Sequence, residues 1–547
     1  MTLTDTVTRT TASRTRSLLP GLLCAALSLG AWQAATAATA QDTLIIGKPA
    51  DPQTLDPAVT FDNNDWTITY PSYQRLVGYK TDGEKSSTEV QGDLAESWTV
   101  SPDNLVWEFK LKTGNKFDDG TEVDANAVKF SFDRLMTLKQ GPSGAFPEDM
   151  VVAVVDPQTV RFTLKTPFAP FLFTLAHNGA SIVNPLVANK GAEANAWLSS
   201  HTAGSGPYRL ASWQKGQSLT MEPNPHYAGA KPALKTVVLK IIAEPSVRRL
   251  QLERGDLDII EDMPEDQLGS LASKPGVVVK EYPSLRVTYL YLNNKQGPLT
   301  NVDARRAITE AVDYNGIVKG ILKGKAELLN GPIPDGMWAY DSSLPAMKQD
   351  MQAAAESLAK VPKKITNLSY MYSDKDANWE PIGLTLQAAL MPLGINLKLE
   401  KTANATLRER VGQADYDIAV GTWSPDFADP YMFMNFWFDS KMQGLQGNRS
   451  FYSNPQVDTL IREAATTSDT GKRTELYQQA QKQVLADSAY VYLFQKSYTL
   501  PMRDSVKGYV FNPMLALFPT GGAIRMTGWG GGGAAPGAHG CGFLSLE

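Results

Sequence analysis

The sequence predicts an α/β protein of two lobes, in which the chain crosses between the lobes twice. From about residue 300 to 490, short apolar strands alternate with helical patterns, which is typical of an α/β domain. The preceding part contains more strands with period-two alternation, bounded by turn residues. A last segment at 498–515 is expected to rejoin the first lobe, and two crossings of this kind suit a hinge.

Length and composition indicate a folded globular protein. The chain has 547 residues, of which 43% are hydrophobic and 20% are charged, and we expect roughly two to four domain-sized units. The formal net charge of -5 argues against nucleic acid as a partner, because phosphate binding requires a basic surface. The only cysteines are Cys24 and Cys541, so removal of the first 40 residues would exclude an intramolecular disulfide.

The first 40 residues have the pattern of a secretory signal peptide. A basic start with Arg9, Arg14 and Arg16 precedes an apolar run at 18–32, and small residues follow it up to Ala40. The run is shorter than the ~20 apolar residues that a membrane-spanning helix needs. A lipid anchor on Cys24 is disfavoured because a bulky leucine precedes it. We therefore expect export of the chain and cleavage after residue 40.

The elements of the first lobe follow from local patterns. Two Asp-Pro pairs make 51–57 a turn-rich loop, and Asp124 is a suitable cap for a helix at 125–135. A helix is also predicted at 66–79, although Pro71 weakens the pattern. Another helix is predicted at 246–254. Strands are predicted at 43–47, 105–111, 151–155, 160–164, 218–221, 237–242, 258–260, 277–282 and 289–294. The strand at 289–294 is the candidate crossing between the lobes.

The second lobe alternates more regularly. Helices are predicted at 303–311, 382–392, 406–412, 455–465 and 472–485, and strands at 365–371, 395–399, 417–420 and 491–494. The resulting domain prediction assigns 41–294 and 496–529 to the first lobe and 295–495 to the second lobe. The glycine-rich segment at 530–547 is predicted to be a disordered tail.

Several spaced motifs occur along the sequence. They include Asp93-Leu94-Ala95-Glu96-Ser97-Trp98, Gly204-Ser205-Gly206-Pro207-Tyr208, Asn224-Pro225-His226-Tyr227 and Asp303-Ala304-Arg305-Arg306-Ala307-Ile308. With these motifs the sequence resembles the extracellular solute-binding proteins of ABC importers, of the peptide/nickel/opine class and the dipeptide- and oligopeptide-binding type. The order and spacing of the matches hold from about residue 43 to 515, so the resemblance rests on many agreeing matches rather than on one short motif.

This resemblance implies a periplasmic location and a type II periplasmic binding protein fold, in which two lobes close on a ligand and the first lobe carries an extra subdomain at about 84–200. It also implies that the protein captures a peptide or another amine-bearing solute and delivers it to the permease of an ABC importer in the inner membrane. We expect a monomer without enzymatic activity, cofactor or metal.

The segment at 421–430 is the predicted ligand site. It follows the strand at 417–420, and ligands in α/β sheets bind at the carboxyl ends of strands. In similar peptide-binding proteins, an Asp three residues after a Trp at this place holds the amino terminus of the ligand. The resemblance therefore assigns this role to Asp426, with Trp423 and Ser424 lining the cleft. The alternative is that Asp426 is a helix cap or a turn residue.

The other end of the ligand is less defined by the sequence. Similar dipeptide-binding proteins carry an Arg after the strand at 365–371, whereas the loop here offers only Lys375, which lacks the bidentate fork of a guanidinium. The stretch with Phe61, Asp62 and Asn63 borders the cleft in similar proteins. Asp62 is a second candidate partner for a cation, or else a solvated loop acid.

Other functions are open to different degrees. A secreted hydrolase is disfavoured because the sequence contains no H-E-x-x-H motif and no G-x-S-x-G at a strand–helix turn. Within binding proteins, an opine, a polyamine or an oligosaccharide is an alternative ligand. A nickel complex is disfavoured because the chain has only 4 histidines.

Overall fold

A computed structural model describes residues 42–60, 62–82, 85–445, 447–514 and 525–526. The predicted signal peptide at 1–40 and the predicted tail at 530–547 lie outside the described residues. None of the described helices is long and apolar enough to cross a membrane.

The strands are numbered in chain order. They are β1 Thr43–Lys48, β2 Val77–Asp82, β3 Lys85–Gly92, β4 Ala95–Val100, β5 Val106–Leu111, β6 Val151–Asp156, β7 Thr159–Thr163, β8 Tyr208–Gln214, β9 Ser218–Pro223, β10 Thr236–Ile241, β11 Ile259–Ile260, β12 Val277–Tyr282, β13 Val287–Leu292, β14 Ala326–Leu328, β15 Asn367–Tyr372, β16 Asn396–Lys401, β17 Ile418–Trp423, β18 Tyr490–Lys496, β19 Tyr498–Arg503, β20 Val506–Lys507 and β21 Arg525–Met526.

The α-helices confirm most of the predicted helical segments. They are α1 Asn63–Ser72, α2 Ala125–Leu138, α3 Phe171–Thr174, α4 Ala194–Leu198, α5 Pro245–Arg254, α6 Glu265–Ala272, α7 Val302–Ala311, α8 Met351–Ala359, α9 Trp379–Leu390, α10 Asn404–Gly412, α11 Asn435–Phe438, α12 Pro455–Thr466 and α13 Thr470–Ala486.

The first lobe is built on a seven-stranded sheet with the order β12-β19-β11-β1-β10-β9-β8. Strand β1 lies at its centre and runs parallel to β10 and β11. Its alternate residues Leu44 and Ile46 are buried in the core of this lobe. Strand β19 pairs with β12 and β11, so the chain returns to this sheet as the sequence predicts.

The second lobe is built on a six-stranded sheet with the order β14-β18-β13-β17-β15-β16. Strands β15, β16 and β17 are parallel, and helices α9 and α10 form the crossovers between them. Strand β13 lies between β18 and β17 and is antiparallel to both. All six residues of β13 are buried, as expected for a central strand covered on both faces.

The chain passes from the first sheet to the second at 283–286 and returns at Ser497. The first crossing lies ahead of the predicted boundary at 294/295, because β13 belongs to the second sheet. The first crossing is hydrogen-bonded to Lys496, the last residue of β18, directly before the second crossing. The Ser284 hydroxyl donates to the carbonyl of Lys496, and the Lys496 N–H donates to the carbonyl of Arg286.

A four-stranded sheet with the order β4-β5-β7-β6 forms the core of the inserted subdomain, and α2 packs against it. The Asp124 side chain caps α2 by accepting from the N–H of Ala127 at 2.9 Å, as predicted. The subdomain is fastened to the first lobe by a paired contact from Arg134 to the buried carboxylate of Asp56, where Nη1 donates at 2.8 Å.

Helix α1 is shorter than the predicted helix at 66–79. It ends at Ser72, one residue after Pro71, and the chain is already extended at Tyr73. The end of the helix is packed directly against another backbone segment. A Cβ atom at Gly206 would lie 2.3 Å from the carbonyl oxygen of Pro71, and the N–H of Gly206 donates to the carbonyl of Ser72 at 3.0 Å. This tertiary contact satisfies the helix end and explains the glycine there.

We therefore predict that Gly206→Ala lowers the free energy of unfolding by at least about 2 kcal/mol, because the added methyl group meets rigid backbone. Gly269→Ala is the matched control, since Gly269 lies in α6 and a Cβ there meets nothing within 4 Å. That change should be neutral or stabilise by about 0.5–1 kcal/mol. Thermal denaturation of both variants checks this, and equal melting temperatures would contradict it.

Candidate functional site

The carboxyl ends of β15, β16 and β17 meet at one edge of the six-stranded sheet, because the three strands are parallel. Strand β13 is antiparallel to β17, with Val287 paired to Trp423, so β13 begins at the same edge. This arrangement collects the loops after three strands and the segment before a fourth. It is the edge at which ligands bind in α/β folds.

Asp426 lies in the loop that follows β17 at this edge. Its side chain is half-buried and makes no hydrogen bond or ion pair with any residue that the structure describes. Burial alone raises the pKa of the Asp426 carboxyl to about 7. Nearby, the N–H of Ala428 donates to the hydroxyl of Tyr79 in β2 at 3.1 Å. Among the residues that the structure describes, Asp426 therefore has no structural partner of the kind that a cap or turn residue has.

Asp429 shows the contrast within the same loop. Its buried carboxylate accepts from the N–H of Tyr431 at 2.9 Å and forms an ion pair with Arg473, also at 2.9 Å. Asp429 is thus committed to structure. Of the two carboxylates, Asp426 is the one that is free to bind a cation.

Trp423 forms a fixed aromatic wall beside Asp426. Its ring stacks on Phe436 at 5.5 Å and meets Trp437 edge-on at 4.9 Å. The buried indole Nε1 of Trp423 has no hydrogen-bond partner among the described residues, so its N–H can donate to a ligand. Ser424 is half-buried, and its hydroxyl is likewise unpaired within the described ranges.

Phe61 lies outside the described residues, whereas Asp62 and Asn63 are placed at the start of α1. The Asp62 side chain caps the helix by accepting from the N–H of Asn64 at 2.8 Å. It is exposed and close enough to Lys375 that its negative charge acts on the pKa of that ammonium and raises it. Helix α1 is bonded to the first lobe and Lys375 follows β15, so Asp62 and Lys375 face each other from different lobes.

Lys375 does not stand alone at the edge. Desolvation lowers the pKa of the Lys375 ammonium, and the positive charges of Arg286, Arg408 and Arg449 lower it further. We call Arg286, Lys375, Arg408 and Arg449 the basic cluster. Within the described part of the chain, no member of this cluster forms an ion pair. Of these four residues only Lys375 was predicted from the sequence, because the three arginines come from distant segments.

The members of the basic cluster are held to different degrees. The Arg449 guanidinium lies 4.7 Å from the centre of the Trp437 ring and donates to the hydroxyl of Tyr291 at 2.9 Å. Arg286 donates through Nε to the Thr422 hydroxyl at 3.3 Å. Arg408 is exposed on α10, and its side chain has no hydrogen-bond partner among the residues described.

Two charges of opposite sign are thus presented at one edge. Trp437 contacts both Trp423, which neighbours Asp426, and Arg449 of the basic cluster. The unpaired carboxylate suits an ammonium group, and the unpaired cations suit a carboxylate. The arrangement therefore fits a small zwitterion, with a positive end at Asp426 and a negative end at the basic cluster.

A separate cavity of about 750 Å³ lies between the inserted subdomain and strands β8 and β9, and it contains none of the predicted site residues. Its walls include Asp118, Trp197, Arg209 and Trp213. Both tryptophan rings are already covered by lysines, at 4.4 and 5.0 Å. No group of three or more side chains suited to a metal ion occurs among the described residues.

Comparisons with known proteins agree on one family. The model of the bacterial extracellular solute-binding proteins, family 5, matches residues 89–444. The chain is 58% identical to the probable D,D-dipeptide-binding periplasmic protein DdpA of Escherichia coli K12, over 92% of this chain and 98% of that protein. It is 28% identical to the dipeptide-binding protein of the same organism, over 90% of this chain and 96% of the relative.

A solved structure supports the fold. The periplasmic binding protein DppA of Helicobacter pylori, in complex with the peptide STSA, aligns with a TM-score of 0.76 and 27% identity. The alignment covers 88% of this chain and 98% of that structure. The two-lobed fold is therefore confirmed.

The free carboxylate of Asp426 predicts a pH-dependent cost in stability. Its pKa in the folded protein, about 7, lies above the ordinary value of 3.8, so the folded state binds this proton more tightly than the unfolded chain. The cost grows as the pH rises from about 4 to about 7, to roughly 4 kcal/mol at most. We expect ligand-free Asp426→Asn to melt above the wild type at pH 8 and close to it at pH 4.

Asp429→Asn is the control for this experiment, because it removes a paired carboxylate from the same loop. It leaves the buried Arg473 without its partner and should destabilise by about 3–5 kcal/mol at pH 8. If the melting temperatures of Asp426→Asn and the wild type differed by the same amount at pH 8 and at pH 4, the prediction would be contradicted.

Proposed function

This chain belongs to the bacterial extracellular solute-binding proteins of family 5, and we propose that it captures D,D-dipeptides in the periplasm for an ABC importer. The observation that carries the proposal is the half-buried carboxylate of Asp426, which has no partner among the described residues. The ammonium group of a dipeptide is the natural partner for such a carboxylate. The D,D configuration is supported by the relative that is 58% identical.

The carboxyl end of the dipeptide pairs with the basic cluster in this proposal. The loop after β15 lacks the Arg of similar dipeptide-binding proteins, and Lys375 supplies a charge there instead. Arg286, Arg408 and Arg449 add guanidinium groups from other segments. Trp423 and Ser424 line the wall between the two ends, and Asp62 and Asn63 close the site from the first lobe.

The remaining steps follow from the family. Closure of the two lobes holds the ligand, and the closed protein docks on the permease of an importer in the inner membrane. The protein acts as a monomer and releases its ligand unchanged, so it is not an enzyme. A periplasmic location is supported by the relatives, which are named as periplasmic binding proteins.

The charges at the site also distinguish among the alternative ligands. A polyamine would bring further positive charges to a place where three arginines already surround Lys375. An uncharged oligosaccharide would leave Asp426 and the cluster without partners. An opine carries both an ammonium and carboxylates, and it is the alternative that the charges permit.

We expect D-alanyl-D-alanine to raise the melting temperature and L-alanyl-L-alanine to bind at least tenfold more weakly. A ligand that binds only the folded state stabilises it by RT ln(1 + [L]/Kd), about 2.7 kcal/mol at a hundredfold excess over Kd. A thermal-shift assay measures the rise in melting temperature, and titration calorimetry measures the affinities of the two dipeptides. Stabilisation by an opine or a sugar but by neither dipeptide would contradict the proposal.

Asp426→Asn should weaken the binding of D-alanyl-D-alanine at least thirtyfold, because an ammonium in a closed cleft loses its charged partner. Asp256→Asn is the control, since it removes an exposed carboxylate from the first lobe. Calorimetric titration of both variants checks this. Wild-type affinity in Asp426→Asn would remove Asp426 from the site.

A further inference from the structure

The basic cluster carries more positive charge than one ligand carboxylate can balance. Arg286 precedes β13, Lys375 follows β15 and Arg408 lies on α10 after β16, so the pairing of these strands places all three at the same edge. Arg449 packs on Trp437 at 4.7 Å, and Asp62 is the carboxylate that acts on the pKa of Lys375. A dipeptide with an uncharged second side chain adds one further negative charge at this end. Positive charge therefore remains in excess when such a ligand is bound.

Other acidic groups in the neighbourhood do not offset this excess. Asp376 in the loop after β15 accepts from the N–H of Asn378 at 3.0 Å and from its amide at 2.8 Å, and it is not among the charges that act on the pKa of Lys375. Asp374 is exposed and is not among the groups that shift the pKa of Lys375. On α10, Arg410 is balanced separately by Glu400 and Asp415.

The cations also act on one another. Desolvation and the charge of Arg449 lower the pKa of the Arg408 guanidinium, and the three arginines lower that of Lys375. Arg408 and Arg449 follow different strands and are brought together only by the fold. Such repulsion inside a cleft is relieved by each negative charge that a ligand brings.

We propose that the basic cluster selects the carboxyl-terminal residue of the ligand by its charge, favouring acidic side chains, then uncharged ones, and rejecting basic ones. This inference rests on the proposed function and deepens it. It identifies the preferred substrates as D,D-dipeptides with an acidic second residue and a free carboxylate.

Arg408 offers the cleanest test of this selection. Its side chain is exposed and makes no hydrogen bond to any described residue, so Arg408→Gln removes charge without removing packing. Arg449 would be a poor choice because it packs on Trp437 and bonds to Tyr291. Arg410→Gln on the same helix is the matched control, since its charge is held in two ion pairs outside the cluster.

The experiment titrates the exported chain with D-alanyl-D-glutamate, D-alanyl-D-alanine and D-alanyl-D-lysine in low salt. We expect about tenfold tighter binding of the acidic dipeptide than of the neutral one, and about tenfold weaker binding of the basic one. Arg408→Gln should reduce each of these two differences in affinity to about threefold, whereas Arg410→Gln should leave both differences unchanged. High salt should make the differences in affinity among the three dipeptides smaller in the wild type, because it screens the charges.

The outcomes separate the two proposals. If D-alanyl-D-alanine binds and the dissociation constants of the three dipeptides agree within twofold, the proposed charge selection is wrong and the proposed function stands. If the ranking occurs but is equally strong in Arg408→Gln, the basic cluster does not cause it. If none of the three dipeptides binds, the proposed function fails and the selection fails with it.

Discussion

The parallel pairing of β15 with β16 and β17 is the constraint on which the site depends. Parallel strands need crossover connections, and the helices α9 and α10 supply them. The loops that leave these three strands therefore lie at the same edge of the sheet. This geometric fact places Lys375, Arg408 and Asp426 at one edge, although no short motif in the sequence contains them.

The sequence predicted best where the signal was local. Helix α2 with its Asp124 cap was predicted from residues that are neighbours in the chain. The helix at 66–79 was predicted too long, because the contact that ends α1 comes from Gly206, far along the chain. Strand β13 was assigned to the first lobe because a fully apolar strand carries no mark of the sheet it joins.

The same distinction applies to the site. Trp423 ends β17, and Ser424 and Asp426 follow it within three residues, so a resemblance carried by local spacing was enough to nominate them. Arg286 and Arg449 became visible only once β13 and the Trp437 ring were placed. A run of single arginines has no periodicity, and each one taken alone reads as a solvated surface charge. Long-range pairing was the missing information.

The paired crossings at 283–286 and Ser497 have a mechanical consequence. The first crossing is bonded to Lys496, the residue directly before the second, so the two segments are expected to bend together as one hinge. A single hinge restricts how the lobes move, which lowers the conformational entropy that is lost when they close on a ligand. Arg286 ends the first crossing and belongs to the basic cluster, so the hinge and the charged edge share a residue.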